Sequence, residues 1–562
     1  MYIKKHLFPE NCLNIKKRCI IVYISQNQGE FLMKVLITDK INETAKKIVD
    51  EAAEGVLLPT MSEEELCAVI GEYDALMVRS QTKVTPKVIE AGKNLKIIGR
   101  AGVGVDNINL DAATEKGIIV VNSPDGNTNA AAEHTVALML AMSRNIAKAA
   151  ASTKQGLWER SKFTGHEVFG KTLGVIGFGK IGHHVAEAAK ALGMKLLVFD
   201  PYTTKEVVEK FGAKYIENID DLWPVCDYIT VHVPKTKETM HMINKDSIAK
   251  MKKGVRLINC ARGGIIDETA LAEALESGQV AQAAIDVFEN EPNITESPLT
   301  KTTGDILLTP HLGASTEEAQ LNVAIDVAEQ IRDVLSGGSA RSAVNIPSLK
   351  PQKLEPVKDY MQLAENIGEL AMQMSSGSLK GIYITVKGTL ADLDVSPLET
   401  AVVKGVLTSF VNDVNYVNAP IIAKSKGLDV STTKSNMSTD YIGSITLKLV
   451  TENQTNTVSG ALIAKDMPRI VKINGYNASI EPEKHMLLVP HENKPSMVAK
   501  VATVLGTKNI NITRMNVAQN RAEDDNISMM IINTGSEVDE ETLKEISSID
   551  GIGTAKYVKL SA

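Results

Sequence analysis

The stretch TLGVIGFGKIGHHVAEAAKALGMKLLVFD, residues 172–200, constrains the fold more than any other part of the chain. A short aliphatic run leads into Gly177, Gly179 and Gly182 in G-x-G-x-x-G spacing, a helical pattern follows, and a second apolar run ends at Asp200. Glycines at that spacing mean little alone. Between a strand and a helix, with an acid closing the next strand, they predict a dinucleotide-binding fold. Gly177 permits the tight turn, Gly179 lets a pyrophosphate approach the backbone, and Gly182 lets helix and strand pack closely. The phosphate charge then meets the positive end of the helix dipole. A carboxylate at Asp200 accepts from ribose hydroxyls and repels a 2'-phosphate, which predicts NAD rather than NADP. The competing reading is a structural glycine turn with an acidic strand end. His183 and His184, just past the motif, read as helix-surface or packing residues rather than ligands.

Four further strands are predicted downstream, in DYITVHVP, VRLINCARGG, AAIDVFENEP and DILLTPHLG. In an open parallel sheet, ligand chemistry gathers at the carboxyl ends of the strands. Arg262 follows the second of these runs, Asp286 and Glu291 the third, and His311 the fourth. A loop histidine by itself usually has no chemical role. His311, however, stands between Pro310 and Gly313, outside any regular helix, and the strand-end rule brings it to the edge that holds a guanidinium and two carboxylates. That set suits the oxidation of an acidic alcohol. His311 can take the hydroxyl proton and return it in the reverse direction, Glu291 can orient the imidazole, and Arg262 can grip a carboxylate in bidentate fashion.

At 562 residues the chain is too long for one core and predicts three to five domains. From Met33, KVLITD, DALMVRS, LKIIGRAG and IIVVNSP alternate with helical stretches, which predicts a parallel sheet covered on both faces. A long small-residue helix, NAAAEHTVALMLAMSRNIAKAAAS, separates this unit from the glycine motif. SGGSARSAVNIPSLKPQKLEP, residues 336–356, reads as a linker. An α+β region follows to about residue 480, and a strand–helix–strand–strand–helix–strand module occupies 485–562. The formal net charge of -7 gives no general attraction to nucleic acid or anionic lipid. No apolar run approaches the roughly 18 residues a membrane helix requires. Five scattered cysteines, with no CxxC pair and no zinc-like spacing, predict reduced thiols in a cytoplasmic protein and no metal site. Residues 1–32, basic around CIIVYIS, read as a disordered extension or a translation-start artefact, with a targeting peptide as the alternative.

LGVIGFGKIG, NCARGGIIDETAL, AAIDVFENEP and LTPHLGAST resemble the four signature segments of the D-isomer-specific 2-hydroxyacid dehydrogenases. VRSQTKVT, IGRAGVGVDNI and NSPDGNTNAAAEHT are similar to the substrate side of the branch that acts on 3-phospho-D-glycerate. The resemblance implies a Rossmann-type, doubly wound cofactor domain, 131–313, inserted in a second α/β substrate domain made of 33–130 and 314–340. An α+β intervening domain, 346–480, and a βαββαβ ACT-like domain, 485–562, follow. It implies Arg262, Glu291 and His311 as the catalytic set. The cofactor site it implies adds Lys180, Ile181, Val233, Pro234, Ala261, Asp286 and Gly313 to the glycines and Asp200, with Arg262 and His311 at its edge. Gly102, Val103 and Gly104 would meet the substrate carboxylate with Asn127 nearby, and Arg79 and Arg100 are the phosphate candidates.

The implied activity is NAD-dependent oxidation of 3-phospho-D-glycerate to 3-phosphohydroxypyruvate, the entry to L-serine biosynthesis. L-Serine would be the effector, bound near His491, Asn493 and Asn511, and the assembly a homodimer or homotetramer. Ser496 departs from the pattern, standing where such effector loops usually carry glycine. The alternatives are another D-2-hydroxyacid dehydrogenase, such as a hydroxypyruvate or glyoxylate reductase, and a non-catalytic NAD-sensing scaffold.

Overall fold

A computed structural model describes residues 33–346, 349–437, 441–520 and 526–561. The extension 1–32 lies outside the described residues, and Cys12 and Cys19 with it. The first unit is a five-stranded parallel sheet in the spatial order Glu54–Leu57, Lys34–Ile37, Ala75–Val78, Ile97–Arg100, Ile119–Asn122. Ala75–Val78 is buried along its whole length, as a parallel strand covered on both faces must be. One face is packed by Leu66, Val88 and Ile89 from local helices. The other receives Val323, Val327 and Ile331 of the helix Glu317–Leu335, which returns from far downstream. A Cβ on Gly99 would lie 2.4 Å from Val327 Cγ1, so the glycine is what lets helix and sheet meet there.

The second unit is a seven-stranded parallel sheet in the order Ile306–Leu308, Val280–Ile285, Val255–Asn259, Tyr228–Val231, Thr172–Ile176, Lys195–Phe199, Lys214–Tyr215. The order reverses between Thr172–Ile176 and Tyr228–Val231, a switch point where a crevice opens outside the strand ends.

Two expectations are corrected here. The long small-residue helix is two helices, Thr128–Ser143 and Ile146–Lys154. Asn145 between them takes φ 53°, and its side chain donates to the Thr164 carbonyl and accepts from Gln282 Nε2, so local side-chain bonds replace the helical ladder. The stretch that reads as a linker is partly core: Ala340, Ala343 and Ile346 are buried against the first sheet, and Ala343 bridges Val121.

Residues 379–480 form a six-stranded sheet, antiparallel except where Leu379–Gly388 pairs in parallel with Asp429–Ser435. The last unit is a four-stranded antiparallel sheet in the order Ile512–Gln519, Ile527–Thr534, His485–Glu492, Lys556–Lys559. Strand alternation sorts its side chains by face. Leu487, Val489, Met530 and Ile532 pack under the helices Met497–Thr507 and Glu540–Ser547, whereas Met486, Leu488, Ile531 and Val558 enter the core of the preceding domain. At about 1.5–3 kcal/mol for each fully buried large apolar side chain, that second face holds the two domains together.

Candidate active site

The glycine turn has the geometry its spacing predicts. Gly177 takes φ 91°, and a Cβ there would lie 2.5 Å from the His232 carbonyl oxygen. A Cβ on Gly182 would lie 2.0 Å from the Gly177 carbonyl. At Gly179 a Cβ would meet nothing within 4 Å, so the backbone faces open space at the start of the helix Lys180–Ala191. That opening belongs to a cavity of about 810 Å³ walled by Gly179, Lys180, Ile181, Asp125, Thr128 and His232. A pyrophosphate fits where the side chain is missing.

Lys180 pairs with Asp125, tying the helix start to the loop before Thr128. Val233 packs beside Gly177, and Pro234 is exposed at the rim. Asp200 accepts from the backbone N–H groups of Phe178 (2.6 Å) and Tyr202 (2.7 Å). Each carboxylate oxygen has a second lone pair that can accept from a ribose hydroxyl. His183 packs between Phe178 and Phe211, and His184 lies 3.7 Å from Glu187, so neither faces the cleft as a ligand. His232, which sequence reasoning passed over, lies against Thr230 Oγ1 at 3.0 Å, and burial pushes its imidazole down to about 4. It is neutral in the wall of the cavity.

At the far strand ends, one buried carboxylate organises the turn that carries His311. Asp286 is fully buried; it accepts from the Leu312 and Gly313 N–H groups (2.8 and 2.9 Å) and from Thr309 Oγ1 (2.6 Å), with His134 Nε2 at 3.1 Å. Its own carbonyl accepts from His311 N–H. Burial would raise the Asp286 carboxyl, but the bonds from His134, Thr309 and Leu312 outweigh it and hold the group below the usual carboxylate range. His311 itself takes φ 55°, a conformation disfavoured for a residue with a side chain and maintained here by those surrounding bonds. His311 Nδ1 lies 2.6 Å from Glu291 Oε2, and Glu291 Oε1 accepts from Phe288 N–H. Burial opposes ionisation of Glu291 as well, and the His311 and Phe288 bonds overcome it, so its carboxyl is also held low. The second ring nitrogen of His311 is thereby left for a substrate.

Arg262 is held from behind, its Nη1 donating to the Ala261 carbonyl, and its Nε stands 3.6 Å from Asp106 across the crevice. A Cβ on Gly104 would lie 2.5 Å from Arg262 Nη2, and one on Gly102 only 1.5 Å from Arg100 Nη1, so the Gly102–Val103–Gly104 loop threads between two guanidinium groups. Val103 is anchored by Asn122, which donates to its carbonyl. Burial, reinforced by the nearby Arg262, pulls Arg100 down to about 10, with Asp106 opposing. Arg79 is lowered by burial and supported by Asp39. Arg100 Nε and Asn127 Oδ1 are buried with no partner, an unmet donor and an unmet acceptor at the same edge. Such groups call for a ligand. Burial pushes the Cys260 thiol up to about 12, so it is not a thiolate nucleophile.

The effector candidates do not converge within the chain. His491 stands opposite Ser528, whereas Ile512, next to Asn511, stands opposite Thr534. Six residues of extended strand separate those points, roughly 20 Å. Within one copy, His491 therefore does not share a pocket with Asn511. His491 Nε2 is buried without a partner, and Asn493 is exposed beside it. Ser496 takes φ 73°, the left-handed conformation that favours glycine.

Comparison with known proteins agrees along the length of the chain. The model for the NAD binding domain of D-isomer specific 2-hydroxyacid dehydrogenase matches residues 136–313, that for the D-3-phosphoglycerate dehydrogenase intervening domain 356–474, and that for the ACT domain 485–551. The chain is 46% identical over 531 residues to D-3-phosphoglycerate dehydrogenase of Synechocystis sp., covering 94% of this chain and 95% of that one. It is 43% identical over 530 residues to the enzyme of that name from Methanocaldococcus jannaschii, covering 94% of this chain and all of the other. A glyoxylate reductase structure from Paecilomyes thermophila superposes with a TM-score of 0.52 at 32% identity, covering 57% of this chain and 99% of that one. Because the likeness at the sequence level runs through the catalytic and regulatory parts alike, the chain belongs to the D-3-phosphoglycerate dehydrogenase family.

Proposed function

We propose that the chain catalyses the NAD-dependent oxidation of 3-phospho-D-glycerate to 3-phosphohydroxypyruvate, the first step of L-serine biosynthesis. The observation that carries this assignment is the 2.6 Å pairing of His311 with Glu291 at the edge where Arg262, Arg100 and Arg79 gather. Glu291 fixes the imidazole so that its other nitrogen removes the proton of the C2 hydroxyl. Arg262 binds the carboxylate together with the N–H groups of the Gly102–Gly104 loop, and Arg79 and Arg100 take the phosphate. NAD, held by Gly177–Gly182, Asp200 and the walls around them, supplies the hydride acceptor when bound.

Asp286 serves by holding the His311 turn, since its carboxylate is already engaged by donors of this chain. A hydroxypyruvate or glyoxylate reductase handles no phosphate and has no use for two further guanidinium groups. A scaffold has none for the His311–Glu291 pair. A steady-state assay with 3-phosphoglycerate and NAD, set against D-glycerate with NAD and glyoxylate with NADH, tests the assignment. Equal efficiency on all three would overturn it.

The same proposal extends to assembly and regulation. The helix Ile146–Lys154 buries none of its residues, and Trp158 and Phe169 beyond it are 82% and 74% exposed, a surface that a second copy would cover. L-Serine would bind across two copies, between His491 and Asn493 of one ACT domain and Asn511 of another. No helix among the described residues is long and apolar enough to cross a membrane, and the described cysteines, Cys67, Cys226 and Cys260, are unpaired, which supports a reducing, cytoplasmic setting.

A further inference from the structure

Arg79 follows the buried strand Ala75–Val78, at the start of a tight loop RSQT, and a long side chain on such a loop is precise only if the loop backbone is fixed. The structure fixes it from both sides. Asp39, 3% exposed and at φ 64°, follows the neighbouring strand Lys34–Ile37. Its Oδ2 accepts from the N–H groups of Arg79 (2.8 Å) and Thr82 (3.0 Å), and its Oδ1 from the hydroxyls of Thr82 (2.6 Å) and Thr60 (2.9 Å). From the opposite side, Asn107 Nδ2 donates to the carbonyls of Arg79 and Thr82, both at 2.7 Å. Asn107 lies just beyond the Gly102–Gly104 loop, so the two substrate loops share one clamp. The Arg79 side chain itself donates from Nη1 to Gln320 Oε1, on the helix Glu317–Leu335, at 3.2 Å.

We propose that Asp39 is the positioning residue of the substrate-phosphate site. It accepts four hydrogen bonds that set the Arg79–Thr82 loop, and the fixed loop presents the Arg79 guanidinium to a phosphate. It touches no substrate and acts through Arg79. In an asparagine of the same shape the charge is gone, one oxygen remains for the two N–H groups, and the amide nitrogen replaces the oxygen to which the Thr60 and Thr82 hydroxyls donate, so both hydroxyls must turn to accept.

The inference rests on the assignment of 3-phosphoglycerate as substrate, and the experiment separates the two. Wild type, Asp39→Asn, Arg79→Ala and the double variant are assayed with 3-phosphoglycerate and with D-glycerate, alongside NADH binding by fluorescence. Asp39→Asn should raise KM for 3-phosphoglycerate on the order of 10- to 100-fold. It should leave kcat/KM for D-glycerate and NADH affinity within about twofold. On the Arg79→Ala background it should add less than about twofold, the signature of one residue acting through another. Thr82→Val, which removes one donor and keeps the charge, should give a smaller rise in the same direction if Asp39→Asn does not fold. Equal losses on both substrates, or full additivity with Arg79→Ala, would overturn the role of Asp39. A wild type with no preference for the phosphorylated substrate would instead overturn the assignment on which it rests.

Discussion

The cofactor sheet gathers its candidate residues at one edge, and the ACT sheet divides them between two. In the seven-stranded sheet every strand runs in one direction, so residues just past four different strands, at Gly177, Arg262, Asp286 and His311, arrive at one edge. In the ACT sheet His485–Glu492 and Ile512–Gln519 both run opposite to Ile527–Thr534, and His491 stands at the end of the first whereas Asn511 precedes the start of the second, which leaves them roughly 20 Å apart. A parallel sheet gathers chemistry within one chain. Candidates at a strand end and at a strand start lie at opposite edges and do not meet within one chain.

The largest effect that bears on this contrast belongs to His311→Gln. It should lower kcat by about 10²–10⁴-fold, with NADH affinity within about twofold by fluorescence titration. Turnover near that of wild type would show that the edge carries no base. Asp286→Asn should cost roughly 10- to 100-fold in kcat by loosening the same turn, because small misplacements of reacting groups are expensive. It should also change acid stability in a defined sense. The carboxyls of Asp286 and Glu291 are held below their ordinary values, so their stabilisation is complete above about pH 4 and is lost as pH falls through the lower folded values. The fall in Tm between about pH 5 and about pH 3 should therefore be shallower in Asp286→Asn than in wild type. A parallel or steeper acid limb, read by calorimetry, would mean that Asp286 is not held low.

Mixing experiments sharpen the other half of the comparison. A chain carrying His491→Ala and Asn493→Ala and one carrying Asn511→Ala should each resist L-serine, while the mixed oligomer regains part of the inhibition because one interface keeps a complete site. If the mixture stays as resistant as either parent, the effector does not bridge two copies. Ser496→Gly should have the smallest effect. Relief of the left-handed strain and the greater unfolded-state freedom of glycine oppose each other, leaving stability within about 1 kcal/mol. A larger loss in thermal denaturation would mean that the serine side chain holds the turn.

Much of the catalytic crevice was legible in the sequence because two periodic rules, strand–helix alternation and the strand-end rule, act on local patterns. Gly177, Gly179 and Gly182 carry their geometry in their spacing, and the His311 turn carries it in its proline and glycine. The supporting contacts were not legible. His134, Asp39 and Asn107 reach their partners across long sequence separations, and an ordinary helix histidine or loop asparagine gives no signal of that. The break at Asn145 was hidden for a similar reason: the apolar pattern runs on past it, and only tertiary bonds to Thr164 and Gln282 make the left-handed turn favourable. That His491 and Asn511 lie apart within one chain was not legible either, because matching a motif says which residue types occur and not whether each stands at the end or the start of its strand.

In the proposed reaction one sheet edge brings cofactor, cation and base to a single substrate carbon. A crystal structure of the chain with NAD and 3-phosphoglycerate tests it most directly. The free imidazole nitrogen of His311 should lie within about 2.6–3.2 Å of the C2 hydroxyl, with the carboxylate on Arg262 and the phosphate on Arg79 and Arg100. A substrate whose hydroxyl faces bulk water, or whose phosphate lies on Arg262 with the other two arginines unoccupied, would contradict it.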